Sequence, residues 1–499
     1  MSDRPTATAP PSTPSTTTII VGGGIIGLST AFYLATTTRM LGDPDPARHR
    51  IIVVDTSRRL FTCASGRAAG FISRSWFSSA TASLAELSFV LHTELAEIFD
   101  GATKWGYRPS QAWSVAMTGD RLTDDDYFRL KEERLRSRQT MADDTGTHRE
   151  TYDSLNEEQK VFAKEPDPPD WLFCDREDTF QISDSGDCAQ INPYSLCHFL
   201  LDQCKEHGVE IYNPFQLQKV NIERDGKIST AVLCDMYTDD LHVIPNVDNI
   251  VIAAGAWSPN VFRTVFPGTK YLPAITSLAG FSMTLASPLS PYNGPAYGEV
   301  AVLDSPGSSN SDINVDMYGN GNTTNPFVAQ QNYSRTRDAL FVRSSITNRW
   351  SPEIFSRSNG EIYIAGLNEQ GYHPSLSSMA PKSYANDSSS TDDSDTEGQP
   401  QTRPYMDNFA VLKNMAMSVL GPELKVIRKS VCLRPVTPRG DPIIGHVPPE
   451  AICGARGVYI SSGHGPWGIS LCLGSGKVIA ELLSEGSVRS ADISRLAPL

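Results

Sequence analysis

Three glycines, Gly22, Gly24 and Gly27, stand in a G-x-G-x-x-G arrangement directly after a short apolar, β-branched run, Thr18 to Val21. An apolar stretch follows, with Leu28, Ala31, Phe32 and Leu34 at helical spacing. A second apolar run, Arg50 to Val54, ends in Asp55 and Thr56. Strand, glycine turn, helix, and a strand closed by an acid form the pattern of a dinucleotide site. Gly22 permits the tight turn, Gly24 lets the backbone approach a pyrophosphate, and Gly27 lets the helix pack on the strand. Ile25 and Ile26 open the helix, whose free N–H groups and partial positive charge attract phosphate. Asp55 would accept hydrogen bonds from the adenosine ribose hydroxyls. No basic residue replaces it, which favours an unphosphorylated ribose and so FAD or NAD over NADP. Residues Leu41 to Arg48 stretch the usual spacing and read as an inserted loop. A glycine turn with no ligand is the plain alternative.

Three distant segments bear on the choice between FAD and NAD. The run Ala64-Ser65-Gly66-Arg67-Ala68-Ala69-Gly70 lies just after Asp55. Val251 to Ser258, with Ala254-Gly255-Ala256-Trp257 at its end, lies mid-chain. Arg434-Pro435-x-Thr437-Pro438 and Gly440-x-Pro442-Ile443-Ile444-Gly445 precede Val458 to Gly465 near the C-terminus. At these residues the sequence resembles the D-amino-acid oxidase superfamily of FAD-dependent oxidoreductases. Its glycine oxidase and sarcosine oxidase branch is closest, and fungal members look closer still. The resemblance runs from Thr18 to Leu483 and is specific for the superfamily, not for a substrate.

The resemblance implies roles residue by residue. Gly22, Gly24, Ile25, Ile26, Gly27, Asp55 and Thr56 would hold the ADP half of FAD. Ser65, Gly66, Arg67, Ala68 and Ala69 match the segment beside the pyrophosphate and flavin, where Arg67 could neutralise phosphate charge. Val220 sits where the family uses a backbone contact to adenine. Ala254, Gly255 and Trp257 end a strand against the FAD. Gly463, His464, Gly465, Trp467, Gly468 and Ile469 match the loop and helix start under the flavin pyrimidine. His464 could be an acid or base, and a positioning or packing role is favoured over that. In glycine-oxidase-like members an arginine at the place of Arg434 pairs with the substrate carboxylate, and the planar guanidinium suits that task. A structural arginine between domains is the alternative. Cys432 is near the position of a cysteine that sarcosine-oxidase-like enzymes link to the flavin 8-methyl group. A buried core cysteine is the simpler reading, so non-covalent FAD is favoured. Two departures stand out: Arg439 replaces the usual acid after Thr-Pro, and Asp441 follows two residues later. The lysine that this branch places near flavin N5 is missing from Gly360 to Gly366.

The elements that must position these residues follow from the pattern. Helices are expected at Leu84 to Phe99, in the charged stretch Arg121 to Lys164, at Tyr194 to His207 with Gly208 as cap, and at Gly474 to Ser484. Strands are expected at Val209 to Tyr212, Ile250 to Ala254, Gly280 to Leu285, Ala339 to Arg343, Glu361 to Ala365, from Ser430 onward, and at Val458 to Ser461. Ser305 to Asn325 reads as a loop. The fold class is α/β: a discontinuous, Rossmann-like FAD-binding domain with a second, mixed-sheet α+β substrate domain. The expected boundaries are a disordered tail at 1–17, FAD-binding parts at 18–104, 188–269 and 430–499, and substrate-domain parts at 105–187 and 270–429. Ser383 to Gln401, rich in serine and aspartate, reads as a disordered acidic insertion.

Composition bounds the alternatives. The 499 residues include 43 Lys and Arg against 57 Asp and Glu, a net charge of −14, which argues against nucleic-acid or anionic-membrane partners. No apolar run is long enough to span a bilayer. Nine scattered cysteines without C-x-x-C argue against a disulfide framework or a metal site and for a reducing, cytoplasmic setting. The expected activity is oxidation of a C–N bond in a small amine or amino acid by hydride transfer to flavin N5. The products would be an imine and, with oxygen as acceptor, hydrogen peroxide. The alternatives are a flavin dehydrogenase with another acceptor and a non-catalytic FAD-binding regulatory or trafficking protein. The chain is expected to be a monomer or homodimer.

Overall fold

The computed structural model describes residues 16–40, 49–116, 169, 179–183, 185–286, 338–343, 352–357, 360–370 and 406–498. The expected loops at 41–48 and 305–325, the charged helix at 121–164 and the acidic insertion at 383–401 lie outside the described residues. Along the chain, β1 (Thr16–Val21), α1 (Ile25–Met40) and β2 (His49–Val54) open the fold. Then come α2 (Ala64–Arg67), β3 (Phe71–Ser73), α3 (Ala82–Phe99), α4 (Gly101–Lys104), β4 (Arg108–Pro109) and β5 (Gln111–Ala116). The middle holds β6 (Thr179–Ser183), β7 (Cys188–Gln190), α5 (Pro193–Glu206), β8 (Glu210–Tyr212), β9 (Phe215–Ile222), β10 (Ile228–Asp235), β11 (Leu241–Pro245), β12 (Asn249–Ile252) and α6 (Ser258–Val265). The last part holds β13 (Thr276–Ala286), β14 (Asp338–Arg343), β15 (Glu353–Ser356), β16 (Ile362–Gln370), α7 (Met406–Leu420), β17 (Lys425–Val436), β18 (Ile443–His446), β19 (Val458–Ser462) and α8 (Gly468–Glu485).

One six-stranded sheet, ordered β18-β19-β12-β1-β2-β8, gathers strands from all parts of the sequence. It is parallel except for β18. Parallel strands covered on both faces carry continuous apolar runs, and Ile19 and Ile20 on β1 are both fully buried. Ile20, Val53 and Val251 pack with α1, α3 and α8 on one face. Ile19, Ile52 and Ile250 pack on the other against the β11-β10-β9 sheet and α6. A seven-stranded mixed sheet, ordered β17-β13-β16-β15-β14-β5-β6, is separate. One of its faces is covered by α7, through Leu412, Met415, Ala416 and Val419. Its other face carries Phe341, Phe355 and Tyr363 into the core shared with Phe71, Trp76 and Trp467.

Three expected boundaries move. Thr16 and Thr17 belong to β1 rather than to a tail, because they pair with His49 and Arg50. Residue 430, expected to begin a new part, falls inside β17, which pairs with β13 from Lys425 to Val436. The last helix begins at Gly468, not Gly474. Gly474 and Gly476 are interior contact points. A Cβ at Gly476 would lie 2.5 Å from the Ser29 carbonyl carbon of α1, and one at Gly474 would lie 2.9 Å from the Leu84 carbonyl oxygen of α3. The helix accepts their conformational cost because nothing larger fits. Gly476→Val should therefore lower stability by about 1–3 kcal/mol or more through overpacking, and should weaken flavin retention by shifting α8. Chemical denaturation and flavin content measured together check both effects.

Candidate functional site

The parallel strands β1, β2, β12 and β19 all end at one edge of the sheet. Their carboxyl ends deliver Gly22, Asp55, the Ala253-Ala254-Gly255 turn and Gly463 to a common crevice, the place where open α/β sheets bind ligands. Close approach dictates the glycines. Gly22 has φ +116°, and a Cβ there would sit 2.4 Å from the Ala253 carbonyl oxygen. A Cβ on Gly27 would sit 1.9 Å from the Gly22 carbonyl oxygen. At Gly24 the added atom would meet only Ser65 Oγ, at 3.1 Å, so the other side of Gly24 is open. Ser65 Oγ accepts the Ile25 N–H at 3.0 Å. Ile26 and Gly27 follow in the first turn of α1, where N–H groups have no intrahelical partner.

Asp55 is oriented by two main-chain donors. Gly23 N–H reaches Oδ2 at 2.7 Å and Ser57 N–H reaches Oδ1 at 2.8 Å. Each oxygen keeps a lone pair for a ribose hydroxyl. Ser462 Oγ accepts from Ser258 Oγ at 2.9 Å and donates to the Gly255 carbonyl at 3.1 Å, which ties the ends of β12 and β19 together. Trp257 Nε1 is buried with no hydrogen-bond partner among the described residues. The backbone opening at Gly24, the ribose-type acid and this orphaned donor fit FAD. Val220 lies on β9 opposite Ala231, with its side chain in the core behind β1.

The seven-stranded sheet forms the second wall. Arg428, Ser430, Cys432 and Arg434 alternate onto one face of β17, opposite Thr284, Ser282, Gly280 and Leu278 of β13. Arg434 is half-buried. Its guanidinium lies over Gly280, where a Cβ would be 3.0 Å from Cζ. Its Nη1 donates to Asn368 Oδ1 at 3.0 Å. A bulge in β16 brings Asn368 there, at the step where Ala279 and Phe281 pair with Glu369 and Gly366. Leu367 takes φ +57° at that bulge. Cys432 is a buried free thiol opposite Gly280.

Arg67 makes a contact that the sequence does not announce. Its Nη1 donates to the Val431 carbonyl at 3.0 Å, so it joins α2 to β17, and burial pushes its pKa down. Tyr363 Oη donates to the Arg67 carbonyl at 2.9 Å, and Arg357 Nη2 donates to the Ala68 carbonyl at 3.2 Å. At the other end of β17, a Cβ on Gly463 would meet Thr437 Cγ2 at 2.6 Å, and one on Gly465 would meet Val436 Cγ1 at 4.0 Å. Arg434 and Cys432 thus lie between the segment after Asp55 and the loop that opens α8. Gly66 is held tight as well, with the Phe61 carbonyl oxygen 2.2 Å from where its Cβ would be. Ala69 packs at the rim of the core.

His464 is buried, with Nε2 3.0 Å from Ser475 Oγ on α8. Burial lowers its pKa to about 3, so it is neutral at physiological pH, and its contact with Ser475 ties the loop to α8. His92, on α3, was not foreseen. Its Nε2–H donates to the Ile469 carbonyl at 2.9 Å, and burial lowers its pKa to about 4. The signal was a histidine within the apolar face of a helix, between Ser88 and Leu95. Asn368, Gly280 and Tyr363 also escaped notice, because a bulge and a cross-strand contact leave no local pattern. Trp467 packs on Phe77 at 4.8 Å, and Gly468 and Ile469 begin α8 beside it.

The two imidazoles make stability pH-dependent. Unfolded histidines, near 6.5, take up protons that the folded ones refuse down to about 4 and 3. Their contribution is complete above pH 6.5 and is lost as pH falls toward those folded values. Urea midpoints should fall on acidification below that point, and His464→Asn should flatten the slope.

Comparison with known proteins agrees with this geometry. A family model described as FAD dependent oxidoreductase matches residues 17–313 and 323–482. A protein of Schizosaccharomyces pombe named as an oxidoreductase is 23% identical over 498 residues, covering 96% of this chain and 97% of its own. Glycine oxidase from Geobacillus kaustophilus superposes with a TM-score of 0.59 at 18% identity, covering 97% of this chain and 98% of its own. Iminodiacetate oxidase from Chelativorans sp. BNC1 gives 0.56 at 18%, with 96% and 98% covered. At such identity these two structures show a common fold. With most of its length matched, and with strand ends and glycines arranged for a dinucleotide, the chain belongs to the DAO family of FAD-dependent oxidoreductases.

Proposed function

We propose that this protein oxidises the C–N bond of an amino acid or a carboxylate-bearing secondary amine. The observation that carries the reading is Arg434. It is a permanently charged guanidinium, oriented by Asn368, on the sheet face between α2 and the Gly463 loop. The similar folds named above act on glycine and on iminodiacetate, a primary and a secondary amine that both carry carboxylate. The chemistry that FAD supplies when bound is acceptance of a hydride from the substrate C–H bond, leaving an imine that water hydrolyses, and passage of the two electrons to an acceptor, for which oxygen is proposed.

The chain's own residues bind and orient. Gly22, Gly24, Gly27, Asp55, Ala254, Gly255 and Trp257 would hold the cofactor. Arg434 would hold the substrate carboxylate with the donors Asn368 does not use, and so fix which C–H bond is presented. Phe341, Phe355 and Trp76 pack against one another beside this face and exclude water. The first-turn N–H groups of α8 would favour negative charge on a reduced flavin. No step calls on a protein base, consistent with a neutral His464. The segment at the head of β16 offers no lysine, and this observation favours a second reading in which the acceptor is a dye, quinone or protein.

The test is anaerobic reduction of the purified yellow protein by a panel of amino acids and N-substituted glycines, followed by admission of air. Bleaching with peroxide release supports the oxidase. Bleaching with slow reoxidation but rapid dye turnover supports the second reading. A flavin that none of these compounds bleaches overturns both. Arg434→Met should raise the apparent Kd of carboxylate substrates about ten- to a hundredfold, since a charge-assisted hydrogen bond contributes roughly 1.5–3 kcal/mol. Asn368→Ala should raise it less, and spectral titration of the bound flavin reads both. Acid precipitation should release the colour to the supernatant. Colour retained in the pellet, and lost in Cys432→Ala, would reverse the assignment of a non-covalent cofactor.

A further inference from the structure

The three-stranded sheet behind β1 ends in an open strand. In the order β11-β10-β9, β11 has no neighbour on its outer side among the described residues. Leu241 and Val243 on it are 63% and 60% exposed, and Met236 and Tyr237 in the hairpin leading to it are also exposed. Those four make up most of the exposed large apolar side chains among the described residues, the others being Val90, Ile98 and Leu272. Apolar exposure gathered in one place marks an interaction site.

The hydrogen-bond phase of the edge follows from the hairpin. Asp235 N–H donates to the Asp240 carbonyl at 2.9 Å. Hydrogen-bonded and non-hydrogen-bonded pairs alternate in an antiparallel ladder. The bonded pairs of β10 and β11 are therefore Asp235 with Asp240, Leu233 with His242 and Ala231 with Ile244. Leu241, Val243 and Pro245 turn their main-chain groups outward. The usual protections of an edge are a bulge, a lysine or a mid-strand proline. The β10–β11 register has no bulge, residues 241–245 carry no Lys, Arg, Asp or Glu, and the one proline is terminal.

We propose that β11 pairs with β11 of a second copy of this chain, antiparallel, across a two-fold axis at Val243. The outward groups complement themselves in that register. Each Val243 N–H donates to the Val243 carbonyl of the second copy, and each Leu241 N–H donates to the Pro245 carbonyl of the second copy. Every outward donor is used, and the Leu241 carbonyl, which faces the Pro245 nitrogen of the second copy, stays open to water. Leu241 packs beside Pro245 of the second copy and Val243 beside its own equivalent, the contacts that stabilise a sheet. The two three-stranded sheets become one of six strands.

Charge does not oppose this. The chain carries a net −14, and Asp235, Asp239 and Asp240 crowd the hairpin tip. In this register Asp240 faces Asn246 of the second copy. The two acidic tips lie at opposite ends of the ribbon, about 20 Å apart at roughly 3.4 Å per residue. That exceeds the screening length of about 8 Å at physiological salt.

Sedimentation of the full-length flavin-loaded chain over a wide dilution series tests the proposal. The expected result is a concentration-dependent dimer. Val243→Lys and Val243→Glu should each be monomeric, because like charges would meet on the axis, and an equimolar mixture of the two should dimerise again. Flavin absorbance and far-UV dichroism establish that both variants are folded. Restoration by mixing is a result that misfolding could not produce. A wild-type chain that stays monomeric overturns the proposal and leaves the edge to a foreign strand. A dimer that survives both variants, or a mixture that stays monomeric, also overturns it.

Discussion

Everything in this fold hangs on main chain meeting main chain where side chains would forbid it. At the carboxyl edge of the parallel sheet, β1 turns into α1 under the end of β12. The Gly22 and Gly27 positions leave no room for even one carbon. The dense turn has a direct consequence. It brings the first amides of α1, the Asp55 carboxylate and the Ala254-Gly255 turn within reach of a single extended ligand. The same economy recurs at the C-terminus, where Gly474 and Gly476 let α8 sink between α3 and α1. The loop at 463–468 is thereby fixed, through Trp467, beside Trp76 and Phe77 from the first part of the chain.

The second wall is fixed by a different device. Side chains rooted in the seven-stranded sheet reach across to carbonyl oxygens after α2: Tyr363 to Arg67 and Arg357 to Ala68. Arg67 answers in the opposite direction, to Val431. Carbonyl acceptors carry no formal charge, so the bridge itself adds no anion beside the face proposed to receive a substrate carboxylate. The Arg357 charge is balanced within its own hairpin by Glu361 at 3.2 Å, with both side chains 7% exposed. Removing one partner of such a buried pair typically costs about 3–5 kcal/mol, while the intact pair contributes little net stability. Its value here is geometric: it holds a guanidinium where it can grip the α2 backbone and stack on Tyr363 at 5.0 Å.

The dinucleotide half was legible because its signals are local. A glycine spacing, two apolar runs and a terminal acid each constrain a few consecutive residues, and the structure puts Gly22, Gly24, Gly27 and Asp55 at one edge. The second wall was legible only by resemblance. Arg434 could be named, but its partner could not. Asn368 lies 66 positions away and arrives through a bulge that no periodicity announces. The Arg67 contact to Val431 was not legible either, because an arginine beside a phosphate segment and an arginine bridging two elements look alike without the partner strand. The start of α8 was misplaced because glycine ordinarily ends a helix, and only the bodies of α1 and α3 explain why two glycines sit inside this one. In each failure the deciding neighbour was distant in sequence.

Electrostatics then separates the roles of the two conspicuous candidates. His464 and Arg434 sit near the same crevice, and both are polar residues in a motif. Burial treats them oppositely. An imidazole can discard its charge, and His464 does so, with its pKa lowered to about 3. A guanidinium cannot discard its charge at any accessible pH, so the fold must keep it solvated or paired. Arg434 is half-buried; it donates to the neutral amide of Asn368 and lies near the Cys432 thiol and the Glu353 carboxylate. Leaving a fixed cation partly open on the inner face of the sheet makes sense if an anion is meant to arrive there. On the proposed reading, the residue that cannot discard its charge, rather than the histidine that burial neutralises, is the group through which this site would select what it oxidises.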